Sequence, residues 1–168
     1  MGKFFEDSKI KTKGDILGYG SNPESNIMFL DNCVESNDIQ QLKPEWQDID
    51  PNELMNDIFL EIIKIDRMYA QRKPVFPEWL IVKHDSECEV ITGPDEENSS
   101  VVLCAFVDGW HKHWGGELIW YSEGEPEVTL ATHSGRVIVS SGPTPIRLVN
   151  PTVDAQEELL YFTFRLKG

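Results

Sequence analysis

From Glu78 to its end the chain is broken into short apolar runs by clusters of Gly, Pro, Asp and Ser. Eight such runs are readable, at 79–83, 88–92, 100–107, 116–122, 127–132, 135–141, 145–150 and 158–166. Runs of this length, each bounded by turn residues, predict antiparallel strands closed into a sandwich or barrel. The connections support that reading. "TGPDEENSS" (92–100) is a turn-rich loop, and "SEGEPE" (122–127) and "SGPTP" (141–145) are tight turns. A chain of 168 residues is long enough for one domain with a real core.

The N-terminal half has a different texture. Residues 1–25 are polar and glycine-rich and predict an arm. "NIMFLDN" (26–32) predicts a strand, and "ESNDIQQLK" a short helix capped by Ser36 or Asn37. The clearest helix is 51–70. Asp50 can cap it and Pro51 suits its first position. Leu54, Ile58, Ile62, Ile65 and Met68 recur at three- and four-residue spacing, giving one apolar face to lay on a sheet. "QRKPVFP" is expected to end it. The organisation is therefore an arm (1–25) and a single domain (26–168), with strand and helices over 26–77 and the strand-rich core over 78–168.

Charge narrows the partners. Asp and Glu outnumber Lys and Arg by 29 to 15, a net charge of −14. A strongly acidic chain is repelled by nucleic-acid backbones and anionic membranes, so neither is expected as a partner. Protein partners or self-association fit better. Three cysteines, none in a C-x-x-C pair, make a disulfide framework improbable and a reducing, intracellular setting the expectation. No apolar run has signal-peptide length or approaches the roughly 18 residues that span a bilayer. Cys104, within an alternating strand, reads as buried packing.

The stretch "DGWHKHWGGELIWY" (108–121) holds two of the four histidines. His111, His113 and Glu117 read H-x-H-x-x-x-E, the ingredients of a metal site and the first half of a cupin motif. The cupin's closing histidine would fall on Ile146, so that set is incomplete. Trp110 and Trp114 flank the histidines. Together with His111 and His113 they could form an aromatic recognition surface, because exposed Trp is favoured at contact hot spots. His133 sits in a turn, "THSGR", and is expected to face solvent.

Several segments, in order, resemble a known family. "VVLCAFVDGWHKHWGGELIWY" (101–121) resembles the prolyl-4-hydroxylase branch of the Fe(II)/2-oxoglutarate dioxygenases, where a strand ending in "YLN" leads to "WGGEL". "GRVIVSSGPTPIRLVNP" (135–151), "EELLYFTFRL" (157–166) and "NIMFLDNCVESNDIQQL" (26–42) resemble further segments of it. The resemblance implies a mainly β, α+β fold: a double-stranded β-helix, or jelly roll, of about eight strands with one main supporting helix. It also implies a chemistry of Fe(II) held by H-x-D/E and a second His. A basic residue at the start of the last strand would bind 2-oxoglutarate.

Carried over residue by residue, that chemistry fails. H-x-D falls on Val90-Ile91-Thr92, the second His on Ile146, and the anchor on Glu157 or Glu158. Val has no donor atom, and an acid repels a dicarboxylate. Val90, Thr92 and Ile146 are expected to converge on one interior spot as apolar packing. A longer loop would instead bring His84 or Asp85 to the motif, each lacking its partner. The resulting expectation is a degenerate dioxygenase fold without cofactor, a non-catalytic interaction or structural module. A phage virion or assembly component is one setting for it. The alternatives are an active Fe(II)/2-oxoglutarate hydroxylase using His84 and Asp85, and a cupin-like metal protein using His111, His113 and Glu117.

Overall fold

A computed structural model describes residues 20–22, 27–31, 33–94, 98–122 and 125–168. Among the described residues, ten strands form two antiparallel sheets. In chain order they are β1 (Gly20–Asn22), β2 (Ile27–Leu30), β3 (Lys73–Val82), β4 (Glu89–Ile91), β5 (Ser100–Ala105), β6 (Leu118–Ser122), β7 (Glu125–Leu130), β8 (Val137–Ser140), β9 (Ile146–Leu148) and β10 (Leu159–Lys167). The larger sheet has the order β1-β2-β8-β5-β10-β3, the smaller β4-β9-β6-β7. From β3 onward the chain crosses between sheets at every connection except the β6–β7 hairpin. That winding is a jelly roll, and all eight strands read from residue 78 onward have a counterpart in it.

Alternation along the strands creates two cores. On β5, Val101, Leu103 and Ala105 face the space between the sheets, while Val102 and Cys104 face the other side. On β10, Leu159 and Tyr161 face inward, and Leu160, Phe162, Phe164 and Leu166 outward. The period of two makes each central strand of the larger sheet buried on both faces. The outer face is covered by helix α2 (Pro51–Ile65), which buries Leu54, Met55, Ile58 and Ile62 there. Asp50 caps α2 by accepting from the Asn52 amide at 2.9 Å, with Pro51 in the first turn.

Several local expectations are corrected. Helix α2 ends at Ile65, and Asp66 caps a following 3-10 turn (Arg67–Gln71), so Met68 leaves the apolar face and is exposed. The short helix α1 (Ser36–Leu42) is preceded by Glu35 at the cap position, without a side-chain cap bond. Ser36 instead hydrogen-bonds Asp108. Strand β3 begins at Lys73, within the segment expected only to terminate the helix. Its prolines are tolerated because β3 is the edge of the larger sheet, where a missing N–H breaks no ladder bond. Of the expected arm, Gly20–Asn22 pairs with β2, and residues 1–19 and 23–25 lie outside the described residues. No helix among the described residues is long and apolar enough to cross a membrane.

Candidate functional site

The space between the two sheets is where a jelly roll places a ligand. Here it is filled. Leu103, Leu118, Ile138, Ile146, Leu148 and Leu159 are all completely buried, joined by Trp120 and Tyr161. The few polar groups inside satisfy one another. The Tyr161 hydroxyl lies 2.8 Å from Thr132 Oγ1, which donates to the Gly116 carbonyl at 2.5 Å. Trp120 Nε1 donates to Ser140 Oγ at 3.1 Å. Burial pushes the Tyr161 phenol well above its ordinary pKa and keeps it neutral. These groups tie β6, β8 and β10 together across the barrel.

The metal-ligand positions do not converge as the sequence predicts. Ile146 is completely buried, but Val90 is 54% exposed and Thr92 is also exposed. The reason is register. In the β4–β9 ladder Ile91 pairs with Ile146 and Val90 with Arg147, so Ile91 shares the inward face. A one-residue slip exchanges the faces of every side chain in a strand. Glu89 is paired with Leu148 and lies on the same face as Ile91. The inward pair on β4 is therefore Glu89 and Ile91, one carboxylate and one alkyl group.

The co-substrate anchor is likewise misplaced by the sequence. Glu157 accepts from Lys43 Nζ and from the Asp108 amide, each at 2.7 Å, outside the barrel. Glu158 is exposed, and its carbonyl accepts from Lys43. The first barrel-facing residue of β10 is Leu159. A leucine there offers a dicarboxylate neither charge nor hydrogen bond.

His84 and Asp85 lie in an exposed turn after β3, with the Ser86 amide donating to the Lys83 carbonyl. Val82 pairs with Leu159, so this turn is at the start of β10. Thr92, after β4, is held by Arg165 near the end of β10. Six strand residues separate those points by about 20 Å, so His84 and Asp85 do not join Ile91 and Ile146.

His111 and His113 are both exposed, their rings 5.1 Å apart, with His111 Nδ1 accepting from the His113 amide. Gly115 and Gly116 follow at φ of +81° and +80°. A Cβ on Gly115 would stand 2.6 Å from the Asn150 carbonyl oxygen, so the glycine is required for close approach. This turn leads to Glu117, whose carbonyl accepts from the Val149 amide, and then into β6. Among the described residues, no three His, Cys, Asp or Glu side chains are grouped to hold a metal. The trio of His111, His113 and Glu117 is thus not assembled, nor does any set fit Fe(II) at the β4–β9 position.

The tryptophan loop has a structural half and a surface half. Trp110 packs on the inner core and donates from Nε1 to the Gly115 carbonyl at 2.9 Å. Trp114 meets it edge-on, with centroids 5.3 Å apart, and also lies against the His111 ring. Trp114 lines an open cleft of about 640 Å³, together with Trp46, Lys43, Asp108 and Glu157. The sequence did not single out Ile91, Leu159 or Arg165. A three-residue strand gives no periodicity from which the inward side of Ile91 could be read.

No protein-family model and no curated protein matches the sequence. Solved structures do match the fold. A prolyl-4-hydroxylase from Pseudomonas putida superposes with a TM-score of 0.62 at 13% identity, covering 84% of this chain and 86% of that one. A prolyl 4-hydroxylase from Phytophthora capsici gives 0.53 at 14% identity, over 86% of this chain and 59% of that one. HygX from Streptomyces hygroscopicus, solved with iron bound, gives 0.58 at 9% identity, over 84% and 81%. At these identities the likeness is one of fold.

Proposed function

We propose that the chain is a non-catalytic binding module built on the dioxygenase jelly roll, acting through its surface and not through its barrel. The observation that carries this reading is the Ile91–Ile146 pair: the sequence resemblance puts an iron-binding histidine at Ile146, and its partner across the ladder is a second alkyl side chain. Leu159 extends the argument to the co-substrate. Burying a charged cofactor against alkyl groups without compensating partners is strongly unfavourable.

The surface that supports binding is the aromatic group of Trp114, His111 and His113 beside the cleft lined by Trp46. Aromatic side chains held by packing lose little entropy on contact, which suits a binding surface. The acidic surface, at net charge −14, favours a basic protein partner or a self-association that pairs its own cations with the excess acid.

Two measurements test the reading together. Light scattering on the purified chain, alone and with a candidate basic partner, should reveal a defined complex. Trp114→Ala and His111→Ala should weaken it with little change in melting temperature. A turnover assay with Fe(II), ascorbate and 2-oxoglutarate should yield no succinate above the enzyme-free control. Succinate formation would sink the proposal.

A further inference from the structure

Between the helical layer and the start of β10, outside the filled interior, lies the open cleft of about 640 Å³. Trp46 and Trp114 both line it, with Asp108 and Glu158 beside them. A cleft of this size is in the range of small-ligand sites, roughly 300–1,000 Å³. We infer that it receives an arginine side chain carried by a basic protein partner. The inference rests on the reading of the chain as a binding module and names what that module binds.

The rings are in place before a guest arrives. Trp46, in the 3-10 segment Lys43–Asp48, packs on Trp79 with centroids 5.3 Å apart. Trp114 is held edge-on by Trp110 and lies against the His111 ring. Each is only partly buried and lines the cleft. An indole face attracts a cation through its quadrupole, more strongly than the other aromatic side chains do. Rings fixed by packing lose little entropy when a guest stacks on them.

The carboxylates supply a second, independent attraction. Among the described lining residues Lys43 is the one base, and it is already engaged. Its Nζ donates to Glu157 Oε1 and to the Glu158 carbonyl, each at 2.7 Å. Neither Asp108 nor the Glu158 side chain belongs to an ion pair among the described residues. Asp108 is held by neutral donors, Ser36 Oγ on one oxygen and Gln40 Nε2 on the other at 2.6 Å. Those bonds orient the carboxylate without neutralising it, and each oxygen keeps a lone pair for a further donor. Glu158 is exposed.

Arginine fits both parts better than lysine. Its guanidinium is planar and weakly hydrated, so it stacks on an indole while its N–H groups reach a carboxylate in the same plane. An ammonium carries the same charge but cannot stack. A neutral guest of the same shape gains the packing and not the charge, and an anionic one is repelled by Asp108 and Glu158. At net charge −14, the field of the whole chain draws a basic partner toward its surface.

NMR of the tryptophan indole N–H groups tests this, with the blocked tripeptide acetyl-Gly-Arg-Gly-amide as probe. Two further tripeptides carry citrulline, which keeps the shape and loses the charge, or lysine in place of arginine. Saturable shifts of the Trp46 and Trp114 signals are expected with arginine, with the signal of the buried Trp120 unmoved. Citrulline should bind about tenfold more weakly or worse, and lysine more weakly than arginine. Asp108→Asn should weaken arginine binding about tenfold, and the exposed Glu158→Gln should weaken it as well. No saturation with the arginine tripeptide, citrulline or lysine binding as tightly as arginine, or binding undiminished in both variants would overturn the assignment. So would movement of the same two signals on concentrating the protein alone, which would make a second copy the occupant. Complex formation with a basic partner and the succinate assay decide the binding-module reading separately, so failure of the cleft is distinguishable from failure of that reading.

Discussion

Ile91 and Ile146 stand directly opposite each other in the β4–β9 ladder, on its inward face. The sequence resemblance sets a metal-binding histidine at Ile146, and its partner across the ladder is Ile91. Two alkyl groups face each other there, with no atom that could bind a metal.

The register itself is testable by stability. Ile146 is completely buried, so Ile146→Ala should cost about 2–5 kcal/mol through lost packing and a cavity. Val90, adjacent to that pair but exposed, should cost less than about 1 kcal/mol on substitution by Ala. Urea denaturation of both variants measures the contrast. Equal losses would place Val90 inside and restore the register expected from the sequence.

The Asp31–Arg136 pair joins β2 to β8 at the edge of the barrel. Arg136 engages both carboxylate oxygens of Asp31, donates to the Ala131 carbonyl at 3.0 Å, and lies over the Phe29 ring at 4.7 Å. Asp31 is buried. Arg136→Ala should destabilise by about 3–5 kcal/mol, because it strands a buried carboxylate. Arg136→Lys keeps the charge but loses the two-pronged geometry, and should recover only part of that. A lysine variant equal to wild type in chemical denaturation would show that charge alone matters.

The thiols give a prediction in pH. Cys33 and Cys104 are fully buried, and burial pushes both upward, Cys104 to about 12. Folding therefore keeps protons that the unfolded chain releases from about pH 8.5 upward. The stability held by protonated thiols is complete below the unfolded pKa and is lost as pH rises toward the folded one. Unfolding midpoints should fall between roughly pH 9 and 12, with a shallower slope in Cys104→Ala. Near neutral pH a thiol reagent should label one cysteine, the exposed Cys88, and all three only after unfolding. Labelling of Cys104 in the native state would contradict the burial.

Much of the fold is legible in the sequence because its elements are locally patterned. The eight later strands show as apolar runs between turn residues, and α2 as a 3.6-residue stripe with Asp50 and Pro51 at its start. Positions that depend on partners are not legible. Met68 continues the stripe in sequence, but Asp66 starts a new turn and removes it from the face. β4 has three residues, too few to reveal which of Val90 and Ile91 faces inward; only β9 decides that. Leu159, the inward residue at the start of β10, is hidden behind two acids that bind Lys43 or face solvent. Arg165 gains its meaning only when β4 brings Thr92 beside it.

The most direct measurement of the central claim is anaerobic loading of the purified protein with Fe(II) and 2-oxoglutarate, followed by visible absorption and metal quantitation. The account predicts no metal-to-ligand charge-transfer band and no stoichiometric iron, because Ile91, Ile146 and Leu159 offer no donor atom. Stoichiometric iron with that band would show that the barrel holds the cofactors and would contradict the account.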